Sequence, residues 1–123
     1  MKREILFRGL RIDGQGWLYG DLIQWKSKGI CAITPQDGNE WSNCYDFEVI
    51  PETVGQFTGL LDKNGTKIFE GDWLHICSGY ASVVEFQDGM FVSVYNHPED
   101  GEIIPLIDAI GDKTEVIGNI HEQ

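Results

Sequence analysis

The side chains of this sequence that could do chemistry are few, and the closest pair is Glu70 and Asp72 on either side of Gly71. A general acid and a general base need to face one cleft, with pKa values driven apart by their surroundings. Carboxylates where a strand begins usually stay solvated, or they accept hydrogen bonds from neighbouring backbone amides. We therefore expect a structural role for Glu70 and Asp72.

The histidines and cysteines do not form a recognisable site. His75 lies within an alternating stretch, and the loop His97-Pro98-Glu99-Asp100 has neither zinc nor EF-hand spacing, so we expect it to be a solvated loop. The remaining members are His121 and the widely spaced Cys31, Cys44 and Cys77, which include no Cys-x-x-Cys pair. We expect free thiols in a reducing compartment.

Nucleophile and phosphate-binding motifs are also missing from the sequence. It contains no Gly-x-Ser-x-Gly elbow and no glycine-rich phosphate loop with a lysine. We therefore predict no catalytic residue, no cofactor-binding residue, no cofactor and no metal site, and a protein that is not an enzyme. A weak hydrolase that uses Asp72 or the His97 loop is kept as a third hypothesis.

The net charge of −11 comes from 20 acidic against nine basic residues. Nucleic-acid binding rests on clustered Lys and Arg, whereas here the basic residues are scattered: Lys2, Arg3, Arg8, Arg11, Lys26, Lys28, Lys63, Lys67 and Lys113. Direct binding to nucleic acid is therefore disfavoured. The acidity either serves solubility or gives a surface that resembles nucleic acid and occupies the groove of a host DNA-binding protein.

The elements that surround these residues are predicted to be strands, because apolar residues alternate between Gly-rich turns. We predict strands at 4–8, 17–25, 29–34, 41–49, 53–57, 67–69, 73–77, 81–87, 90–96 and 115–120. The strand 17–25 should be broken or bulged at Gly20-Asp21. Pro105 blocks an internal strand, so a short helical turn ending at Gly111 is expected in 103–110.

Two dipeptides predict tight hairpin turns. Asn64-Gly65 and Asp88-Gly89 are typical of two-residue connections between strands. For Asn64-Gly65 we expect a type I′ turn, which requires positive φ at both residues. Gly accepts that conformation without strain and Asn tolerates it.

Two halves of the chain echo each other. Residues 52–57 and 115–120 both read Glu, any residue, branched aliphatic, Gly, amide, large apolar. Phe7-x-Gly9-Leu10, followed by Gly20-Asp21, similarly parallels Phe57-x-Gly59-Leu60 with Gly71-Asp72. The pattern indicates either two related β modules, 1–57 and 58–123, or chance similarity between Gly-rich turns. The sequence leaves both interpretations open.

A family resemblance rests on several of these motifs: Phe7-Arg8-Gly9, Trp17-Leu18-Tyr19-Gly20, Thr53-Val54-Gly55-Gln56-Phe57-Thr58-Gly59-Leu60, Asp62-Lys63-Asn64-Gly65, Ile68-Phe69-Glu70-Gly71-Asp72 and Glu115-Val116-Ile117-Gly118-Asn119-Ile120. In them the chain resembles the YopX family of bacteriophage proteins over nearly its whole length, least between 24 and 48 and between 96 and 113. The resemblance implies a small phage or prophage protein, largely β with an SH3-like barrel and without an assigned activity. It supplies no catalytic residue.

Together these observations predict a mainly β protein, with an SH3-like barrel in the C-terminal half packed with an N-terminal β module. We expect a single YopX-like domain over 1–123 that acts as a phage accessory binding or assembly module. Its partner would be another protein or a second copy, reached through sheet edges and aromatic residues among Trp17, Trp25, Trp41 and Trp73. The sequence has no run of about 20 apolar residues that could span a membrane, and residues 5–7 are too short for a signal peptide. These features favour the cytoplasm of the bacterial host.

Overall fold

The structure, a computed structural model, describes residues 3–36, 44–76, 80–95 and 102–122. The predicted loops at 36–40 and 96–101, together with Trp41 and Cys77, fall wholly or mainly outside these residues. The chain forms two compact units, Met1–Phe57 and Thr58–Gln123. In the described part, no helix is long and apolar enough to cross a membrane.

The first unit is an antiparallel meander whose last strand returns to pair with the first strand. Its strands are β1 (Phe7–Leu10), β2 (Trp17–Trp25), β3 (Ile30–Thr34), β4 (Glu48–Val49) and the beginning of β5 (Gly55–Leu61), in the order β4-β3-β2-β1-β5. The residues just after β1 also reach β4, because Arg11 forms a β-bridge with Val49. The backbone N–H of Ile50 donates to the carbonyl of Leu10 at 2.8 Å.

Two glycines of this unit stand where the backbone has no room for a side chain. A Cβ at Gly20 would lie 1.9 Å from the carbonyl oxygen of Thr34, and one at Gly9 would lie 3.0 Å from the side chain of Val49. The predicted break or bulge at Gly20-Asp21 is wrong, because β2 continues in regular register through it. Gly20 pairs with β1, and Asp21 is the first residue to pair with β3.

The segment before β4 also differs from the prediction. The extended stretch expected at 41–49 contains a 3-10 helix at Cys44–Phe47, and only Glu48–Val49 is a strand. A second 3-10 helix, Pro51–Thr53, begins at the proline and leads into β5. Proline suits this position because its fixed φ is compatible with the first turn of a helix.

The second unit contains the rest of β5, then β6 (Lys67–Phe69), β7 (Asp72–Ile76), β8 (Tyr80–Gln87), β9 (Met90–Tyr95), β10 (Ile103–Pro105), helix α1 (Leu106–Ala109) and β11 (Glu115–Asn119). The last five strands form a sheet with the order β10-β9-β8-β7-β11. Its core is the cluster Ile68, Leu74, Val84 and Leu106. The short helical turn expected between Pro105 and Gly111 is present as α1, and Pro105 lies on an edge strand.

The two units share one strand topology. In each, four strands form a meander, a short helix follows, and a final strand returns beside the first strand. The returning strands, β5 and β11, contain the glycine and amide of the repeated sequence pattern. The predicted mainly β class is confirmed. The pairings of the described residues leave the sheet of the second unit open between β10 and β11, so they close no barrel, and the SH3-like barrel stays a prediction.

The two predicted hairpin turns have different outcomes. Asp88 and Gly89 have φ values of 52° and 80° and join β8 directly to β9, as the sequence predicts. The type I′ turn at Asn64-Gly65 is wrong, since Gly65 has φ of 80° while Asn64 is not among the residues with positive φ. There the connection is a longer loop, in which the N–H of Asp62 donates to the carbonyl of Thr66 at 2.9 Å.

Candidate interaction surface

The carboxylate of Asp62 holds the backbone of the second unit. Its Oδ1 accepts the N–H groups of Asn64 at 2.8 Å and Thr66 at 2.9 Å, and its Oδ2 accepts that of Val116 at 2.9 Å. Asp62 is only 8% exposed. Burial acts to raise the pKa of Asp62, but the three amide bonds, with Lys63 nearby, outweigh burial and lower it.

The neighbours of Asp62 fasten the same loop to β11. The N–H of Lys63 donates to the carbonyl of Thr114 at 2.9 Å, and the Lys63 ammonium lies 3.3 Å from the Glu115 carboxylate. The side-chain amide of Asn64 donates to Glu115 at 3.5 Å. The motif Asp62-Lys63-Asn64-Gly65 is therefore explained by the need to join this loop to the last strand.

Asp72 is likewise explained by the fold. Asp72 is 1% exposed, and its Oδ2 accepts the backbone N–H of Phe69 at 2.8 Å. Between them Gly71 has φ of 93°, and its N–H donates to the carbonyl of Val84 at 2.8 Å. The expected hydrogen bond from a local backbone amide to Asp72 is confirmed, and Glu70 is half-buried beside it.

Further buried polar side chains also bond within the protein. Ser93 Oγ donates to Ser82 Oγ at 2.6 Å, with both residues fully buried. Thr114 Oγ1 accepts the N–H of Gly111, and Asn119 Oδ1 accepts that of His121, both at 2.9 Å. These bonds give each side chain a role in local folding.

The other residues singled out in the sequence are dispersed. His75 is exposed on β7, Cys31 is a half-buried free thiol on β3, and the loop of His97 lies outside the described residues. In the part of the chain that is described, no three His, Cys, Asp or Glu side chains come together to hold a metal ion.

The three described tryptophans are half-buried. The Arg8 guanidinium lies 4.7 Å from the ring centroid of Trp17, in the geometry of a cation–π contact. Trp25 ends β2, and Trp73 lies on β7. The default expectation of core packing is thus met only in part for Trp17 and Trp73, whose side chains remain partly accessible.

A surface that the sequence pattern did not single out lies at the end of the β8–β9 hairpin. Phe86 is 53% exposed and Met90 is 46% exposed. Phe86 packs edge-on against Phe91, with ring centroids 5.1 Å apart and planes at 67°. We name Phe86 and Phe91, together with the turn residue Asp88, the hairpin surface; Met90 pairs with Gln87 and therefore lies on the other face of the hairpin. The sequence feature that could have indicated this surface is the presence of large apolar residues on both sides of a two-residue turn.

Phe86 is held in place by its neighbours on both sides. It lies directly opposite Phe91 in the β8–β9 ladder, and Phe91 packs against the core cluster of the second unit. The turn that follows Phe86 has positive φ at both central residues, which matches the twist of paired strands. The exposed ring is therefore presented on a rigid support, which lowers the entropy cost of using it in binding.

Charge is distributed unequally between the two units. Residues 58–123 carry 12 Asp and Glu against three Lys, a net charge of −9, whereas residues 1–57 carry eight acids against six Lys and Arg, a net charge of −2. The segments 80–95 and 102–110 contain four acids and no Lys or Arg. The hairpin surface therefore belongs to the more acidic of the two units.

Comparison with known proteins addresses the family. A search of curated proteins finds no match to the chain. A family model described as YopX protein matches residues 6–123, a range that covers most of the first unit, all of the second and every motif of the resemblance quoted above. The chain therefore belongs to the YopX protein family.

Proposed function

We propose that the chain is a phage accessory protein that acts as a β-rich protein-binding module, and that it is not an enzyme. The observation that carries the proposal is the exposed Phe86, whose ring packs edge-on against Phe91 at the end of the hairpin. Aromatic residues and Met are enriched where proteins bind one another, and a preorganised aromatic ring is a frequent centre of binding energy.

The roles of the buried acids support the same proposal. Asp62 and Asp72 accept hydrogen bonds from backbone amides that the loops need to satisfy. A carboxylate committed in this way is poorly placed to transfer protons to a substrate, since catalysis requires it within reach of a bound ligand.

The edges of the sheet in the second unit favour binding through side chains. Edge strand β10 has three residues, and Pro105 lacks an N–H for pairing. At the β11 edge, the N–H of Val116 is taken by Asp62, and the carbonyl of Thr114 just before it accepts a bond from Lys63. We therefore place binding at the hairpin surface in preference to the strand edges considered from the sequence.

A crosslinking capture tests the proposal. A photoreactive amino acid is placed at position 86 in the full chain, and the protein is irradiated in host lysate with and without nuclease. We expect a specific protein adduct that persists after nuclease treatment. The matched control carries the same amino acid at position 117, because Ile117 is 56% exposed in the same unit. Identical adducts from both positions, or none from position 86, would refute the proposal.

A second candidate function, an acidic inhibitor that mimics nucleic acid, draws on the net charge of −9 in residues 58–123. Such an inhibitor binds the positively charged groove of a DNA-binding protein in place of DNA. It predicts that the chain releases labelled DNA from a host DNA-binding protein in a gel-shift competition. It also predicts that release weakens steeply with added salt, and failure to compete at low salt would exclude it.

A further inference from the structure

Asn64 and Gly65 form the one Asn-Gly pair of the sequence. We propose that Asn64 is a site of spontaneous deamidation, and that the loop built on Asp62 sets the rate of the reaction. The inference does not depend on the proposed function, because it concerns the covalent stability of the loop that is joined to β11.

Deamidation begins with an attack by the backbone nitrogen of the following residue on the asparagine side chain. The nitrogen of Gly65 forms a bond to Cγ of Asn64 while the Cγ–Nδ2 bond breaks, and the proton lost by the Gly65 nitrogen leaves with Nδ2 as ammonia. Water then opens the succinimide ring at either carbonyl and leaves aspartate or isoaspartate at position 64. Glycine favours the attack, because it has no side chain beside the nucleophile and its backbone is the least restricted.

The surroundings of the pair leave it accessible to water and base. Asn64 and Gly65 are both exposed, and a Cβ built at Gly65 would have no atom beyond its chain neighbours within 4 Å. The other described asparagine, Asn119, is 7% exposed and precedes Ile120, whose branched side chain hinders the attack. Of the asparagines that the structure describes, only Asn64 combines access with an unhindered nucleophile.

Hydrogen bonds to Asp62 restrain the nucleophile in the folded chain. The N–H of Gly65 donates to the Asp62 carbonyl at 3.0 Å, and Asp62 Oδ1 accepts the N–H groups of Asn64 at 2.8 Å and Thr66 at 2.9 Å. Since the Gly65 nitrogen attacks only after it loses its proton, its bond to the carbonyl must break first. Ring closure therefore requires local opening of the loop, and folding should slow it.

Conversion would weaken the attachment of the loop to β11. The side-chain amide of Asn64 donates to Glu115 at 3.5 Å, beside the ion pair between Lys63 and the same carboxylate. An aspartate at position 64 loses that donor and places a like charge near Glu115. Isoaspartate also lengthens the backbone between two amides that Asp62 Oδ1 accepts, so the spacing that lets one oxygen accept both is lost.

Peptide mapping by mass spectrometry measures the reaction. The full chain is incubated at mildly alkaline pH, once in buffer and once in denaturing guanidinium chloride, and the mass gain from amide to acid is followed at each asparagine. In denaturant we expect the gain first at Asn64, and in buffer at least about tenfold more slowly, which is the scale of breaking one or two hydrogen bonds. A faster gain at another asparagine in denaturant, or equal rates at Asn64 in the two solutions, would overturn the proposal.

A substitution tests the control by Asp62. Asp62→Ala removes the acceptor of the N–H groups of Asn64 and Thr66, so the rate in buffer should rise toward that of the denatured chain. The matched control Asp108→Ala removes an exposed carboxylate of the same unit and should leave the rate unchanged. The same rate in both variants would contradict control by the loop.

Hydrogen exchange in the wild type keeps the test independent of whether Asp62→Ala folds. Exchange of the Gly65 N–H reports how often its bond to the Asp62 carbonyl opens. The factor by which folding slows deamidation should match the protection of this amide to within a factor of a few. Slow deamidation with an unprotected Gly65 amide would show that the loop does not set the rate.

The consequence for β11 has its own measurement. Asn64→Asp reproduces the charged product, whereas Asn64→Ser removes the amide donor without adding charge. In urea, Asn64→Asp should unfold at a lower denaturant concentration than Asn64→Ser, because only the aspartate repels Glu115. Equal midpoints for the two variants and the wild type would refute a weakened attachment.

Discussion

Replacing Asp62 tests most directly whether the family motif is structural. In Asp62→Ala, three backbone N–H groups lose their acceptor: those of Asn64, Thr66 and Val116. The first two belong to exposed residues that water can reach, at about 0.5–1.5 kcal/mol each, whereas the half-buried Val116 amide would cost about 1–3 kcal/mol. We expect a total loss in the free energy of unfolding of about 2–6 kcal/mol.

The isosteric change Asp62→Asn should cost less. Its side-chain oxygen can keep the bonds from Asn64 and Thr66, but its amide nitrogen then faces the N–H of Val116 as donor against donor. Losing that bond should cost about 1–3 kcal/mol. The matched control is Asp108→Asn, at an exposed position, where the change should stay within about 0.5 kcal/mol.

Urea unfolding of the variants, followed by tryptophan fluorescence, supplies the measurement. The pH dependence adds an independent check, because the folded pKa of Asp62 is lowered below that of the unfolded chain. The stabilisation is then fully present above the unfolded pKa of about 3.9, and it is lost as pH falls through the folded pKa. The difference between wild type and Asp62→Asn should therefore be constant above about pH 5 and shrink in acid. A negligible cost at neutral pH, or one that persists undiminished after acid titration, would refute the role assigned to Asp62.

Further substitutions probe the remaining contacts. Gly20→Ala should prevent stable folding of the first unit, because its Cβ would stand 1.9 Å from a carbonyl oxygen, whereas Gly111→Ala meets open space and should be nearly neutral by thermal melting. Ser93→Ala should cost about 1–3 kcal/mol by leaving Ser82 Oγ without the hydroxyl that donates to it, and adding Ser82→Ala should recover part of that loss in a double-mutant cycle. Asp88→Ala should lower the free energy of unfolding by about 1 kcal/mol, because alanine is strained at the positive φ of position 88. Equal stability of this variant and the wild type in urea would show that the turn geometry is not required.

Local signals in the sequence predicted the second unit well where the relevant contacts are local. At Asp88-Gly89 the turn residues themselves set the backbone, and the strands on both sides follow from alternation. At Asn64-Gly65 the same rule was wrong because Asp62, two residues earlier, binds the N–H groups of Asn64 and Thr66 and stabilises a longer loop. A side-chain acceptor next to the turn competes with the preference of the turn dipeptide.

Contacts between distant residues explain the other differences. Aromatic residues at 41, 45 and 47 suggested an extended stretch, but Cys44–Phe47 form a 3-10 helix, and Arg11, 35 residues before Asp46, donates to the Asp46 carbonyl. Gly20 looked like a bulge because a glycine interrupts an apolar strand, but the cause is the approach of Thr34 from the neighbouring strand. Neither contact has a signal within a short window of sequence.

The sequence pattern did not identify Phe86 as a candidate binding residue, for a related reason. Alternation assigns Phe86 and Val84 to the same face of β8, and Val84 is buried in the core while Phe86 is half in solvent. The difference depends on where the core cluster ends along the strand, which is a property of packing. The sequence analysis predicted that exposed aromatic residues contribute to binding, but it named the tryptophans as the candidates.

The residues of the quoted motif and the residues proposed to bind the partner are different sets. Within the motif that runs from Phe57 to Asp72, Thr58 donates to the carbonyl of Ile68, Asp62 bonds to the loop and to β11, and Asp72 accepts the amide of Phe69. Each of these bonds stabilises the backbone, so the shared motif specifies a fold without specifying a ligand. Phe86 lies outside that motif, and its side chain has no hydrogen-bonding group. Because these bonds serve the fold, membership of the family does not by itself identify the partner.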